Sequence, residues 1–179
     1  HQHMQPGHLG LIVDIGGGTS DFTLFEQAQN GATHILCSHG LRLGGTDFDR
    51  QLSIDHVMPL LGRGSAIRNT FGGGTLPAPS KIFNDLATWQ MIPFLYTAET
   101  RRSVQELARQ AAEPSKLGRL VTVLEEELGH DLAFAVERGK INANDPQHRN
   151  PAIDLRLLER GLSAPLGGGE MAQSLAEMS

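Results

Sequence analysis

The sequence is poor in the features that mark secreted and membrane proteins. It contains a single cysteine, Cys37, so no intramolecular disulfide can form, which indicates a reducing compartment. No apolar run approaches the ~20 residues that a membrane-spanning helix needs. The first ten residues lack the basic-then-apolar pattern of a secretory signal peptide. These absences predict a cytoplasmic protein with no membrane partner.

The sequence also lacks an excess of positive charge. It carries 15 Lys and Arg against 20 Asp and Glu, for a formal net charge of −5. Because nucleic acids attract basic patches, no nucleic-acid partner is predicted. The length of 179 residues and the hydrophobic fraction of 39% are sufficient for an ordinary domain with its own core.

The first third of the chain has the pattern of three antiparallel strands. Residues 11–15 (LIVDI) form an apolar run with one acid, which predicts a central strand buried on both faces. A second strand-like segment follows, and Asn30–Gly31 predicts a type I′ hairpin before the third. Thr46 is then a candidate N-cap for a helix. The fold class predicted from this order is α/β.

The rest of the sequence is predicted to be mostly helical. Glycines and prolines favour a long loop over residues 62–79. Apolar spacing predicts helices over residues 97–112 and from Pro114 to about Ile141, and a strand over residues 152–158. The predicted subdomains are residues 9–61, residues 62–160 and a weakly ordered tail, residues 161–179.

Three consecutive glycines, Gly16, Gly17 and Gly18, separate the first two predicted strands. Glycine costs backbone entropy and packs no side chain, so the triplet indicates either a tight hairpin or a close approach to the backbone. Successive N–H groups at a hairpin tip form an anion site, which phosphate oxygens reach where no Cβ intervenes. Thr19 adds a hydroxyl donor at the same tip.

Two acids flank this tip. Asp14 ends the first predicted strand, and Asp21 lies two residues past Thr19. Carboxylates repel phosphate, but they bind a Mg²⁺ ion that bridges phosphates, and Asp14 is also the candidate catalytic residue that orients an attacking water. The pattern D-x-G-G-G-T-x-D therefore predicts a phosphate site with its metal. A structural glycine turn with two turn acids is the alternative.

Other phosphate-binding motifs are absent from the sequence. No G-x-x-x-x-G-K-[ST] pattern occurs, which excludes a Walker-type P-loop. No strand-like segment is followed by G-x-G-x-x-G, and the triplet leads into another strand instead of a helix. Both observations argue against a dinucleotide-binding fold.

Three motifs, in order, resemble one family. VDIGGGTSDF (residues 13–22) resembles the second phosphate-binding hairpin of the actin, sugar-kinase and seventy-kilodalton heat-shock ATPase superfamily. LRLGGTDFDRQL (41–52) is similar to the glycine-pair-and-helix segment of DnaK-type heat-shock chaperones, and AVERGKI (135–141) to their E-R-x-K helix. The MPLLG segment (58–62) is most similar to a divergent bacterial branch of these chaperones.

This resemblance implies a ribonuclease-H-like lobe that binds ATP or ADP. It implies that the glycine hairpin holds the phosphates, that Asp14 and Asp21 lie near Mg²⁺ or a monovalent cation, and that the E-R-x-K helix reaches the ribose and base. The residues that it assigns to the nucleotide are Gly16, Gly17, Gly18, Thr19, Gly44, Gly45, Glu137 and Lys140.

Some positions leave alternatives open. Taken without the family, Glu137 and Lys140 have the spacing of an ordinary i,i+3 surface ion pair. Thr46, Ile141 and Asn144 differ from the residues usual at these motif positions.

The predicted function is nucleotide binding by the second lobe of a heat-shock-type chaperone ATPase. Client proteins and co-chaperones are expected partners of the parent protein. The first lobe's motifs and the final adenosine segment are missing from the sequence, so an isolated lobe is expected, with weak or absent nucleotide binding and no turnover alone. Two alternatives are a non-catalytic actin-like interaction module and a lobe of a filament-forming or cell-division ATPase.

Overall fold

The computed structural model describes residues 7–69, 72–176 and 178. The fold is mixed α/β, with a three-stranded antiparallel sheet, two two-stranded sheets and several helices. The chain divides into two compact units, His1–Phe48 and Asp49–Ser179. This division falls earlier in the chain than the boundary after residue 61 that the sequence predicts.

The first unit contains an antiparallel sheet with the strand order β1–β2–β3. The strands span Leu9–Ile15 (β1), Ser20–Gln27 (β2) and Thr33–Leu41 (β3), which confirms the predicted meander. The second turn differs from its prediction. Gly31 has a φ of 81° and donates its N–H to the carbonyl of Ala28, but Asn30 keeps a negative φ. A type I′ turn needs positive φ at both central residues, so that prediction is wrong.

The prediction that the LIVDI strand is central and buried is also wrong. β1 is an edge strand, and its side chains are exposed, with Leu11 at 61% and Ile15 at 59% of their full exposure. A continuous run of apolar residues is typical of a strand that other elements cover on both faces, but the strand is buried only where such elements are present. β1 therefore leaves a row of apolar side chains in solvent.

The remaining elements follow in chain order. They are helix α1 (Gly45–Leu52), a π-helical turn (Ser53–Val57), a 3₁₀ turn (Met58–Leu61), strands β4 (Ala66–Arg68) and β5 (Thr75–Pro77), helix α2 (Ser80–Ala87), a 3₁₀ segment (Trp89–Leu95), helices α3 (Ala98–Gln110), α4 (Pro114–Glu125) and α5 (Gly129–Ala143), strands β6 (Ala152–Asp154) and β7 (Ser163–Pro165), and helix α6 (Gly168–Ala176).

Several of these elements differ from the sequence-based expectation. The helix predicted over residues 97–112 is confirmed by α3. The stretch predicted as a loop contains the β4–β5 hairpin, and the strand predicted over residues 152–158 ends at Asp154 and pairs with β7. The predicted tail contains β7 and α6, so it has more regular structure than its sequence indicates.

Helix α4 contributes a regular buried face to the hydrophobic core of the second unit. Leu117, Leu120 and Leu124 recur at spacings of three and four and are fully buried, as the helical periodicity predicts. Burial of one such side chain stabilises the fold by about 1.5–3 kcal/mol. The largest fully buried side chains are Leu52, Met58, Leu61, Phe83, Ile92, Leu117, Leu120, Leu124, Leu132, Ile153, Leu155 and Leu166.

The single long helix predicted from Pro114 to about Ile141 is broken in the structure. α4 ends at Glu125, Glu127 adopts a left-handed φ of 57°, and α5 begins at Gly129. The prediction of a continuous helix is therefore wrong, although both halves are helical.

The Tyr96 hydroxyl occupies this break. It donates to the carbonyl of Glu127 and accepts from the N–H of Gly129, both at 3.0 Å. A Cβ added at Gly129 would lie 2.6 Å from Cγ2 of Ile92 and 2.7 Å from the Tyr96 hydroxyl. Gly129 therefore lets the 3₁₀ segment approach the start of α5, which the helical periodicity does not reveal.

Every helix in the part of the chain that the structure describes is too short or too polar to cross a lipid bilayer.

Replacing Gly129 by alanine is expected to lower the free energy of unfolding by about 1–3 kcal/mol, because the added methyl group overpacks the contact with Ile92 and Tyr96. Gly118→Ala in α4 is the matched control, since nothing lies within 4 Å of its added Cβ. That control should stabilise the protein by up to about 1 kcal/mol through helix propensity. Urea denaturation of both variants measures the two changes, and equal effects would contradict the packing account.

Candidate functional site

The glycine triplet forms an open hairpin tip. Gly16 donates its N–H to the carbonyl of Thr19 at 2.7 Å, which closes a two-residue loop of Gly17 and Gly18. All four residues are exposed, and nothing lies within 4 Å of a Cβ added at Gly17 or Gly18. Within the described residues, the N–H groups of Gly17, Gly18 and Thr19 have no acceptor. Three consecutive donors are therefore free at an uncovered tip.

The carbonyls of the same tip are bound by the start of α1. Gly45 donates its N–H to the Gly16 carbonyl at 3.0 Å. Thr46 donates its N–H at 2.8 Å and its hydroxyl at 2.7 Å to the Gly17 carbonyl. The carbonyls of Gly16 and Gly17 are thus satisfied from within the first unit, while the N–H groups of Gly17, Gly18 and Thr19 remain free.

This docking requires glycine at position 44. A Cβ there would lie 2.5 Å from the Gly18 nitrogen and 2.6 Å from the Gly17 carbonyl carbon and oxygen. Such separations are far below van der Waals contact, so any side chain would push the two segments apart. The glycine pair, Gly44 and Gly45, therefore lies against the glycine triplet of residues 16–18. The resemblance assigned both motifs to the nucleotide site.

The start of α1 corrects the prediction that Thr46 is the N-cap. The N–H of Asp47 donates to the carbonyl of Gly44, and the Asp47 carboxylate accepts the N–H of Gly44 at 2.9 Å. Gly44 therefore occupies the capping position, and Asp47 supplies the returning arm of a capping box. In the described part of the chain, the hydroxyl of Thr46 caps no helix N–H group and donates to the Gly17 carbonyl.

The two candidate metal ligands are directly opposite each other in the sheet. Asp14 on β1 pairs with Asp21 on β2, so both carboxylates project from the same face, beside the tip. Both residues are exposed. Oδ1 of Asp21 lies 2.8 Å from the position of a Cβ at Gly40, so the glycine on β3 gives this carboxylate room. Like charges placed opposite each other destabilise a sheet, and a bound cation would remove that repulsion.

Glu137 and Lys140 lie on α5 in the second unit. Glu137 is exposed, whereas the Lys140 ammonium is 2.8 Å from Oδ1 and 3.0 Å from Oδ2 of Asp49. The alternative of an i,i+3 ion pair between Glu137 and Lys140 is thus replaced by a pair between Lys140 and Asp49. The side chains of that pair are each 20% exposed. Asp49 and Lys140 are 91 residues apart, so no local spacing in the sequence indicates this pair, although Asp49 lies in the LRLGGTDFDRQL segment.

The electrostatics of this pair are set by burial. Burial raises the pKa of the Asp49 carboxyl, the hydrogen bond and charge of Lys140 act against that rise, and the charge of Glu137 adds to it. Ionised Asp49 is therefore costly in the folded state, and Lys140 offsets part of that cost.

No protein-family model matches this chain. A stretch of 48 residues, 26% of the chain, is 44% identical to the chaperone protein DnaK of Endomicrobium trichonymphae. The matched stretch spans 8% of the length of that relative. The chain is thus similar to a DnaK chaperone over about a quarter of its length.

Removing the partner of Asp49 should raise the pKa of its carboxyl further. In Lys140→Met the carboxylate keeps its burial but loses its compensating charge, so a rise above the native value is expected in carboxyl-detected NMR titration. This shift also makes the free energy of unfolding depend on pH. Because the pKa of Asp49 is raised in the folded state, its contribution to that free energy is most favourable below the unfolded pKa near 3.8 and is lost as the pH rises through the folded pKa.

The control for this titration is Lys81→Met, which removes an exposed lysine paired with Asp85. It should leave the pKa of Asp49 unchanged. An unchanged Asp49 pKa in Lys140→Met would show that the pair seen in the structure does not exist in solution.

Proposed function

We propose that this chain is a phosphate-binding, ribonuclease-H-like lobe that takes ATP or ADP with Mg²⁺, as in a heat-shock-type chaperone ATPase. The observation that carries the proposal is the open tip at which the N–H groups of Gly17, Gly18 and Thr19 are free. Backbone donors of this kind bind oxyanions, and the missing Cβ atoms let phosphate oxygens approach. The similarity to DnaK supports the chaperone relationship.

The metal has its ligands next to these donors. Asp14 and Asp21 supply two hard oxygen ligands on one face of the sheet. Mg²⁺ binds through one or two carboxylates while it keeps several waters and bridges phosphate oxygens. Two carboxylates beside an anion site meet that requirement. A purely structural turn would not be stabilised by paired acids, because like charges opposite each other destabilise a sheet.

The chain's own residues would then divide the work. The tip would hold the phosphates, with the Thr19 hydroxyl as a further donor, and Gly44 and Gly45 would keep the tip in place. Asp14 would orient a water for attack on the terminal phosphate. Mg²⁺ supplies charge neutralisation of the phosphates when it is bound.

The adenosine contacts are proposed on the resemblance alone. Glu137 is exposed and available to a ribose hydroxyl. Lys140 is held by Asp49, so it would reach a base only by sharing or exchanging that partner. Client proteins and co-chaperones are proposed, on the same resemblance, as partners of the parent protein.

Binding of Mg·ADP is expected to be weak. The tip and both carboxylates are exposed, so bound phosphates would stay hydrated and their charges screened. Isothermal titration calorimetry should give a dissociation constant no better than high micromolar, and weaker binding when Mg²⁺ is chelated. Submicromolar binding would contradict this account of an open site.

The metal role of Asp14 is tested by Asp14→Asn in the same titration. The variant should lose Mg-dependent affinity by about tenfold or more, since losing a metal-site carboxylate costs at least as much as losing its supporting partner. Glu26→Gln is the matched control, because Glu26 is an exposed acid of β2 on the opposite face. If Asp14→Asn binds Mg·ADP as the native chain does, Asp14 has no metal role. No binding at millimolar ADP would favour the interaction-module alternative.

A further inference from the structure

Arg42 carries the single permanent positive charge of the first unit. Residues 1–48 contain no other arginine or lysine, against four aspartates and glutamates. With neutral histidines the unit therefore has a formal charge of −3. A surface of this sign repels phosphate, so a phosphate site on it needs a cation of its own.

The position of Arg42 in the fold is beside the glycine tip. β3 ends at Leu41, which pairs with Ser20, the first residue of β2. The antiparallel register, continued by one residue, puts Arg42 opposite Thr19. On the other side of Arg42, the carbonyl of Leu43 accepts the Ser20 hydroxyl at 2.7 Å. Both neighbours of Arg42 are therefore bound to the residue that follows the tip.

The next residues along the chain contact the tip itself. A Cβ at Gly44 would lie 2.5 Å from the Gly18 nitrogen, and Gly45 donates its N–H to the Gly16 carbonyl. Arg42 thus belongs to a short segment that is fixed to the hairpin before and after it. Its backbone is held beside the tip, and its long side chain can reach a ligand there.

The Arg42 side chain is available to such a ligand. It is exposed, and in the part of the chain that the structure describes its guanidinium has no hydrogen bond or ion pair. Arg101 of the second unit, by contrast, pairs with Glu127 at 2.6 Å. Since Arg42 pairs with neither Asp14 nor Asp21, neutralising those acids is not its role in the structure.

We infer that Arg42 is a further phosphate-binding residue of this site, whose guanidinium donates charge-assisted hydrogen bonds to the phosphate that the tip holds. The inference rests on the proposed function, because it adds a second kind of donor at the same phosphate. A guanidinium is a planar fork of N–H donors that matches two phosphate oxygens, whereas an ammonium acts as a point charge.

Arg42 and Mg²⁺ then stabilise the phosphate in separate ways. The proposed metal depends on the carboxylates of Asp14 and Asp21, whereas the guanidinium binds phosphate oxygens directly. Part of the affinity should therefore remain when Mg²⁺ is removed, and that part should depend on Arg42. The ligand class is a diphosphate, free or attached to a nucleoside, because the N–H groups and the guanidinium both recognise phosphate oxygens.

The test is an amide NMR titration of the full chain with inorganic pyrophosphate, once with Mg²⁺ and once with EDTA. The shifts of the Gly17, Gly18 and Thr19 amides give the dissociation constant. Arg42→Gln should weaken binding about fivefold to tenfold in both conditions, because it removes a charge-assisted hydrogen bond at an exposed site. Arg42→Lys should lose less affinity, because it keeps the charge without the fork.

Arg102→Gln is the matched control. Arg102 is an exposed arginine of α3 that has no ion pair among the described residues. Its substitution removes the same charge from the second unit and should leave the dissociation constant for pyrophosphate unchanged. Equal effects of Arg42→Gln and Arg102→Gln would overturn the inference, because they would reflect net charge alone.

Two further outcomes separate this inference from the proposed function. If Arg42 only balanced the acid pair, Arg42→Gln would leave pyrophosphate binding in EDTA unchanged and would tighten Mg²⁺ binding. That result would overturn the inference and leave the proposed phosphate site intact. A native chain whose tip amides do not shift at millimolar pyrophosphate would overturn both.

Discussion

The first unit depends on the hydrogen bonds between the start of α1 and the carbonyls of the glycine hairpin. Gly45 and Thr46 donate three hydrogen bonds to Gly16 and Gly17, and Gly44 lets the two backbones meet. The carbonyls of Gly16 and Gly17 are therefore satisfied internally, while the N–H groups of Gly17, Gly18 and Thr19 remain free. This arrangement supports the proposed anion site, because free backbone N–H groups attract an oxyanion.

The same docking explains why the residues around it are small or polar. Gly44 is required by the close approach, and Asp47 stabilises the chain reversal by accepting the N–H of Gly44. Ser20 adds a hydrogen bond from its buried hydroxyl to the carbonyl of Leu43, 2.7 Å long. The start of β2 and the segment before α1 are thus joined by side chains as well as by backbone. These contacts connect two motifs that are distant in the sequence, since Ser20 and Leu43 are 23 residues apart and Gly17 and Thr46 are 29 apart.

Local patterns in the sequence predicted the main elements of the local structure. Strand-like segments separated by glycine-containing turns predicted the meander, and spacings of three and four predicted the buried face of α4. The Asp14–Asp21 pairing follows from a two-residue loop closed by Gly16 and Thr19. Two of the failures depended on distant residues: the exposure of β1 is decided by what covers the sheet, and the helix break before Gly129 is decided by Tyr96. The type I′ turn failed locally, because Asn30 keeps a negative φ. The partner of Lys140 lies 91 residues away on α1, so no periodicity could identify it.

The central claim is that the free N–H groups of Gly17, Gly18 and Thr19 bind phosphate oxygens. The most direct measurement is an amide NMR titration of the chain with Mg-pyrophosphate. Residues 72–74 are also three consecutive glycines, and Gly73 and Gly74 of that stretch serve as an internal comparison. The account predicts saturable downfield shifts of the three tip amides, with little change at Gly73 and Gly74. Equal shifts in both triplets, or none at the tip at millimolar pyrophosphate, would contradict it.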